Sequence, residues 1–235
     1  ATDRWAIDGT VAAIGSDRYF VWSGWAGDQN VQQDLYIARM SNPWTLSSLR
    51  VRIASPTLPW EANTKPRVAE GPQVYVRGGM INIIYSASGS WTDGYCLGLL
   101  TAPVGADLLE PASWHKAQTP VFASANGVMG PGHASIVASP DGSEDWLIYH
   151  AARWPGAGWT RNVRAKRIAW TPDGLPLLGA PAAPNVPLRV PAGEPRRWRV
   201  EAEAGALTGG ARIVDEPSAS GGRKVGYIDQ TTSSV

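Results

Sequence analysis

Apolar and polar positions alternate in short runs along most of the chain. "YFVWSGW", "QVYVRG", "MINIIYSAS", "YCLGLLTA", "DWLIYHA" and "VRAKRIAW" are aromatic and β-branched, with Gly, Pro, Asp and Asn between them. This pattern predicts strands joined by turns. No long segment keeps the 3.6-residue period of a helix, so the expected fold class is all-β.

Three parts of the pattern are copies of one another. "DRYFVWSGWAG…QDLYIARM", "GMINIIYSASGS…YCLGLLTA" and "EDWLIYHAARW…VRAKRIAW" each read as an aromatic strand, a loop and a second strand. Trp22, Tyr85 and Tyr149 mark the copies at spacings of 63 and 64 residues. A shorter strand start precedes each copy, in "AIDGTVAAI", "AEGPQVYV" and "GPGHASIVAS". Asp8, Glu70 and His133 mark those starts at spacings of 62 and 63. Repeats of this length with four short strands each are blades of a β-propeller. The first strand of every blade lines the central channel, so Asp8, Glu70 and His133 are expected to face one another across a shared pocket. Three repeats do not close a ring, which takes at least about four blades. The chain is therefore expected to be the C-terminal three blades of a larger propeller.

Composition narrows the function classes. A net charge of +1 over 235 residues gives no electrostatic footprint for nucleic acid or a membrane surface. No stretch approaches the roughly 18 apolar residues that span a bilayer. A single cysteine, Cys96 in the apolar "YCLGLL", excludes an internal disulfide and a cysteine-based zinc cluster, and reads as buried and inert. The start "ATDRWAIDGT" has neither methionine nor signal peptide; processing or truncation explains it, and the repeats favour truncation.

Two carboxylates across a polar channel suggest general acid–base chemistry, and glycoside hydrolysis is the reaction most associated with such pairs. A structural ion-pair role for Asp8 and Glu70 is the alternative. Glu70 precedes Gly-Pro and the apolar "QVYV", which places it at a constrained strand start with little solvent. Partial desolvation and a neighbouring aspartate both raise a carboxyl pKa, which suits a proton donor. Trp91 in "SGSWTDGY" and Trp25 in "WSGWAG" follow inner strands into loops, as candidate walls for sugar rings or as packing between blades. His150, adjacent to Tyr149 in "IYHA", points to the opposite strand face and reads as structural, and His115 in "ASWHKAQ" carries no argument.

"AIDGTV…YFVWSGW", "EGPQV…INIIYSASGSWTDGYCLGLL" and "GPGHASIVASPDGSEDWLIYHA", in this order, resemble glycoside hydrolase family 43 over residues 1–190. The resemblance implies a five-bladed propeller among inverting arabinofuranosidases, xylosidases and arabinanases, and the wording lies closest to exo-acting α-L-arabinofuranosidases. It implies Glu70 as general acid and Asp8 as the aspartate that orients the acid and tunes its pKa. It implies His133 as the channel histidine that organises a water-coordinated calcium beneath the sugar. Arg161 matches a substrate-contacting arginine, with Arg164 a competing choice. The family's general base is an aspartate of the first blade. An inverting mechanism needs it, and Asp28 and Asp93 have no motif reason to replace it. Little or no catalysis is expected of this chain alone.

After a Pro-rich stretch, with a linker expected over 191–197, the sequence "RVEAEAGALTGGARIVDEPSASGGRKVGYID" resembles the opening of a family 6 or 35 carbohydrate-binding module. There Glu201 and Glu203 match glutamates that help bind a structural calcium. Residues 198–235 are too few for such a β-sandwich. The functional expectation is a secreted, monomeric glycosidase acting on arabinose- or xylose-containing polysaccharides. The rivals are a β-xylosidase of the same family, a non-catalytic sugar-binding propeller, and a scaffold without a sugar site.

Overall fold

A computed structural model describes residues 4–195 and 201–228. The chain divides into two compact units, Ala1–Glu194 and Pro195–Val235. Among the described residues, no helix is long and apolar enough to cross a membrane.

The first unit contains three antiparallel sheets, each built from strands consecutive in sequence. The first runs β1 (Ala6–Ile14), β2 (Asp17–Gly24), β3 (Asp34–Asn42) and β4 (Thr45–Leu46), with β5 (Val51–Ala54) also paired to β3. The second runs β6 (Ala69–Arg77), β7 (Met80–Ala87), β8 (Cys96–Pro103) and β9 (His115–Lys116). The third runs β10 (Met129–Ala138), β11 (Asp145–Ala152), β12 (Arg161–Trp170) and β13 (Pro176–Leu177). Trp22, Tyr85 and Tyr149 fall on the second strand of each sheet, so the repeat read from the sequence is a repeat of sheets. Tight turns set the register. Between β6 and β7 the two-residue loop Gly78-Gly79 has φ +58° and +79°, the left-handed pair that a hairpin matching strand twist requires.

The core lies between the sheets and follows strand alternation. On β7, Ile81, Ile83 and Tyr85 pack with Tyr19, Val21, Leu35 and Ile37 of the first sheet. Ile84, on the other face of β7, joins Leu97, Leu99 and Phe122 against Leu147 and Tyr149 of the third. Central β7 is thus buried on both faces, with Asn82 and Ser86 beside Ile84 on the second, whereas β1 has Val11 exposed and Ala12 buried. Each fully buried Leu, Ile or Phe contributes about 1.5–3 kcal/mol relative to exposure. Face-to-face stacking of sheets therefore stabilises the unit and fixes the strand starts relative to one another.

Residues 191–194, expected as the start of a linker, are instead fastened to the first unit. The Ala192 N–H donates to the Glu144 carboxylate at 3.1 Å, and the Asp141 N–H donates to the Ala192 carbonyl at 3.4 Å. The rest of that stretch and the expected module's start at residue 198 include positions outside the described residues. The second unit contributes a hairpin, β14 (Arg212–Asp215) with β15 (Arg223–Gly226), and a 3-10 turn at Ala202–Ala204. Glu201 there accepts a hydrogen bond from the Ser220 hydroxyl at 2.9 Å.

Candidate functional site

The first strand of each sheet is interrupted at the same place. Ile7 pairs with Ser23 and Thr10 with Val21, so two residues, Asp8 and Gly9, lie opposite Trp22 alone. Gly71 and Pro72 likewise face Tyr85, and His133 and Ala134 face Tyr149. Each is a β-bulge, a device that re-aims side chains at a strand end. The first bulge residue is left-handed in all three: φ is +57° at Asp8, +57° at Gly71 and +49° at His133. Asp8 and His133 adopt a conformation that non-glycine residues seldom take.

This register corrects one equivalence drawn from the sequence. Glu70 does not share the position of Asp8 and His133. Gly71 does, and Glu70 occupies the paired position before the bulge, matching Ile7 and Gly132. The expected convergence nevertheless occurs, centred on Gly71. The Gly71 N–H donates to Asp8 Oδ2 at 2.9 Å, and His133 Nε2 lies 3.9 Å from Asp8 Oδ1. The His133 ring covers Gly71 so closely that a Cβ there would lie 3.2 Å from Nδ1. The His133 N–H donates to the Ser86 hydroxyl at 2.7 Å, tying the third sheet to the second.

Glu70 accepts a hydrogen bond from the Tyr95 hydroxyl at 2.5 Å. Burial pushes its carboxyl above the usual carboxylate range, and the charge of Asp8 adds to that push. The Tyr95 hydrogen bond and the fields of His133 and Arg161 oppose it, and burial prevails. A carboxyl that holds its proton longer than an exposed one can donate that proton to a departing oxygen.

Arg161, at the start of β12, belongs to this cluster. Its Nε donates to His150 Nδ1 at 2.5 Å, its Nη1 to the Ser90 carbonyl at 2.8 Å and its Nη2 to the Gly130 carbonyl, with the guanidinium 5.4 Å from the centre of the Tyr95 ring. Arg164 does not reach the cluster; it pairs in register with Tyr149, and its Nε is buried without a hydrogen-bond partner among the described residues.

Sequence reasoning missed Tyr95 and His150. His150 stacks between Tyr95 and His133, at centroid distances of 5.8 and 5.9 Å, so it forms part of the site wall. Burial first, then the charges of Arg161 and His133, lower its pKa to about 4. Its Nδ1 accepts from Arg161, which keeps the imidazole neutral. The available signal was the alternation of β11: Tyr149 faces the core, so His150 faces away from it toward the strand starts. Tyr95 immediately precedes β8, and its partner is specified only by the docking of neighbouring elements.

The two sequence-proposed tryptophans differ in setting. Trp25 stacks on Trp5 at 4.7 Å, and none of its described contacts is with Glu70, Asp8, His133 or Arg161. Trp91 is half-buried in the loop that carries Ser90, beside exposed Trp159. Asp28 pairs with Arg4, and Asp93 accepts the Gly156 N–H at 2.9 Å; both carboxylates brace loops. Cys96 is buried, with its thiol pushed up to about 12 by burial.

Calcium takes six to eight oxygen ligands. Around His133 the described side chains offer two imidazoles, of His133 and His150, and the carboxylates of Asp8 and Glu70, which already accept the Gly71 N–H and the Tyr95 hydroxyl. Among the described residues no group of three or more His, Cys, Asp or Glu could hold a metal ion. These residues do not fit a directly coordinated calcium.

The chain is 38% identical over 189 residues to the extracellular exo-α-(1→5)-L-arabinofuranosidase of Streptomyces avermitilis, covering 77% of this chain and 39% of that protein. It is 36% identical over 247 residues to α-L-arabinofuranosidase 43 of Humicola insolens, covering 95% and 51%. The solved α-L-arabinofuranosidase of Lactobacillus brevis superposes with a TM-score of 0.72 at 36% identity, over 79% of this chain and 59% of that one. The chain thus spans about 40–50% of the length of these two curated relatives. The profile of glycosyl hydrolases family 43 matches residues 1–176. With that match over most of its length, the chain belongs to glycosyl hydrolases family 43.

Proposed function

We propose that this chain carries the acid half of an inverting glycosidase that removes α-L-arabinofuranosyl residues from arabinan and arabinoxylan. The three sheets are read as three successive blades of a five-bladed propeller. The observation that carries the reading is Glu70: a carboxyl at a strand start, its pKa raised by burial, oriented by Tyr95 and flanked by Asp8. The relatives named as arabinofuranosidases supply the sugar.

In the proposed reaction Glu70 protonates the glycosidic oxygen as the bond to the anomeric carbon breaks. A second carboxylate takes a proton from water, and the water oxygen bonds to the anomeric carbon from the opposite face. Within the described cluster the other carboxylate is Asp8, which holds the Gly71 N–H and raises the proton affinity of Glu70; it is assigned as a positioning residue. The base is assigned to another blade. Arg161, braced by Ser90, Gly130 and His150, presents a fixed cation toward Glu70. His133 walls the same pocket. His133 is further proposed to help organise a calcium held through water beneath the sugar. Secretion is proposed from the relative named extracellular, and the second unit is proposed as the opening of a family 6 or 35 module.

The test is arabinose release from α-1,5-linked arabino-oligosaccharides by the longest polypeptide encoded in the frame containing this chain, with Glu70→Gln beside it. A natural oligosaccharide is used because a good aryl leaving group needs no acid. Release that collapses in the variant supports the assignment. A folded, inactive wild type overturns it.

A further inference from the structure

The loop between β7 and β8 and the loop between β11 and β12 meet in an aromatic corner that the proton-transfer chemistry does not use. Trp91 and Trp159 stand with ring centroids 6.0 Å apart and planes at 67°. Asn30, Gln33 and Pro66 complete the lining of a cavity of about 390 Å³, within the ~300–1,000 Å³ typical of ligand sites.

Trp159 is 71% exposed, yet it is held. Its Nε1 donates to the Ser90 hydroxyl at 3.1 Å, and its loop is anchored where the Gly156 N–H meets both oxygens of Asp93, at 2.9 and 3.1 Å. The Trp91 indole lies on Gly89, where an added Cβ would come within 2.6 Å of the ring. An exposed indole already satisfied at its N–H and fixed by its loop loses little freedom when a ligand covers its face. Two tryptophan faces at a steep angle, with two side-chain amides and no charged residue in the lining, suit a neutral ligand with apolar C–H faces and hydroxyls at its ring edges. Ser90 joins this corner to the acid site: its hydroxyl accepts from Trp159 and its carbonyl from Arg161.

We infer that the Trp91–Trp159 corner binds the pentosyl chain of the polysaccharide outside the residue being cleaved. This rests on the glycosidase reading above and extends it to a second contact with the same substrate. The corner holds chain that has no part in bond breaking, so its occupancy depends on oligosaccharide length and not on Glu70.

Affinity electrophoresis of the full chain through gels containing linear arabinan, xylan or no polysaccharide tests this, with thermal melting to verify folding. Arabinan is expected to slow wild type, Glu70→Gln and the control Trp44→Ala, on the exposed turn between β3 and β4, alike. Trp159→Ala is expected to lose at least five-fold in apparent affinity with its melting unchanged, and Trp91→Ala to lose as much. Retardation by xylan alone, abolished by Trp159→Ala, would support the corner as a pentosyl site while defeating the arabinan reading. Folded chain retarded by neither polysaccharide, or a Trp159→Ala variant that runs like wild type in arabinan, would overturn the inference.

Discussion

Two glutamates beside the second sheet, Glu61 in the connection before β6 and Glu70 on β6, each accept a short hydrogen bond from a buried tyrosine, at 2.6 Å from Tyr85 and 2.5 Å from Tyr95. Their remaining surroundings differ. Glu61, fully buried before β6, also accepts the Thr57 and Leu58 N–H groups at 2.9 Å each and the Lys116 ammonium at 2.7 Å. Every lone-pair direction it needs is met, and its charge is neutralised. Glu70 has the tyrosine and little else on its carboxylate, so burial is left uncompensated and drives its proton affinity up. What separates the carboxylate that holds the fold from the one proposed as the acid is the number of donors around it, since both are withdrawn from water.

The largest effect that would sharpen the contrast is catalytic. Glu70→Gln is expected to lower hydrolysis of an unactivated arabino-oligosaccharide by about 10²–10⁴-fold, the range of general acid catalysis, in the longest encoded polypeptide. Its unfolding free energy should stay within about 1 kcal/mol of wild type. The sign follows from the raised pKa: Glu70 contributes stability while protonated and loses it as pH rises through its elevated value, so the amide costs nothing at neutral pH. The opposite pattern is expected of Glu61→Gln. That variant strands the Lys116 ammonium and should lower stability by about 3 kcal/mol, read as a shift in urea midpoint at constant m. A Glu61→Gln protein as stable as wild type would erase the distinction.

A smaller effect separates the two regions by pH. His150 titrates at 6.5 when unfolded and at about 4 when folded. The unfolded chain therefore binds the extra proton between those values, and stability present above pH 6.5 is lost as pH falls through 4. His150 is partly buried at the site wall, and solvent screening reduces its share to about 1 kcal/mol. Chemical denaturation from pH 7 to 4 should show His150→Gln losing that much less than wild type. The smallest effect is on the acid itself. Tyr95→Phe removes a donor that favours the charged carboxylate, so the alkaline limb of the pH–rate profile should move to higher pH. A limb that stays put would mean that Tyr95 does not set the acid.

Much of this arrangement was legible in the sequence because it is repeated. The spacing of Trp22, Tyr85 and Tyr149 located three second strands, since each aromatic anchors the same face of a meander. Asp8, Glu70 and His133 led to the right strand starts, yet the count slipped by one at Glu70. A bulge adds a residue that alternation cannot register, and glycine, at position 71, has no side chain to betray it. From sequence alone His150 reads as structural, because alternation tells which face a residue takes and says nothing of what a neighbouring sheet brings to that face. The partnership of Tyr95 with Glu70, and the reach of Arg161 to Ser90, His150 and Gly130, depend on how separate strands and loops dock. Residue order does not specify those distances.

The left-handed bulge shared by the three strands has a consequence for how these positions can vary. At positions 8 and 133 the left-handed backbone admits glycine, asparagine, aspartate or histidine and disfavours β-branched side chains, so backbone and chemistry together restrict them. Position 71 is narrower still: φ is +57°, and the imidazole of His133 occupies the space a side chain would need. In libraries randomised at one site at a time, folded members would retain the few left-handed-tolerant residues at 8 and 133 and recover glycine at 71. The position that contributes no functional group would then be the one that tolerates the fewest replacements.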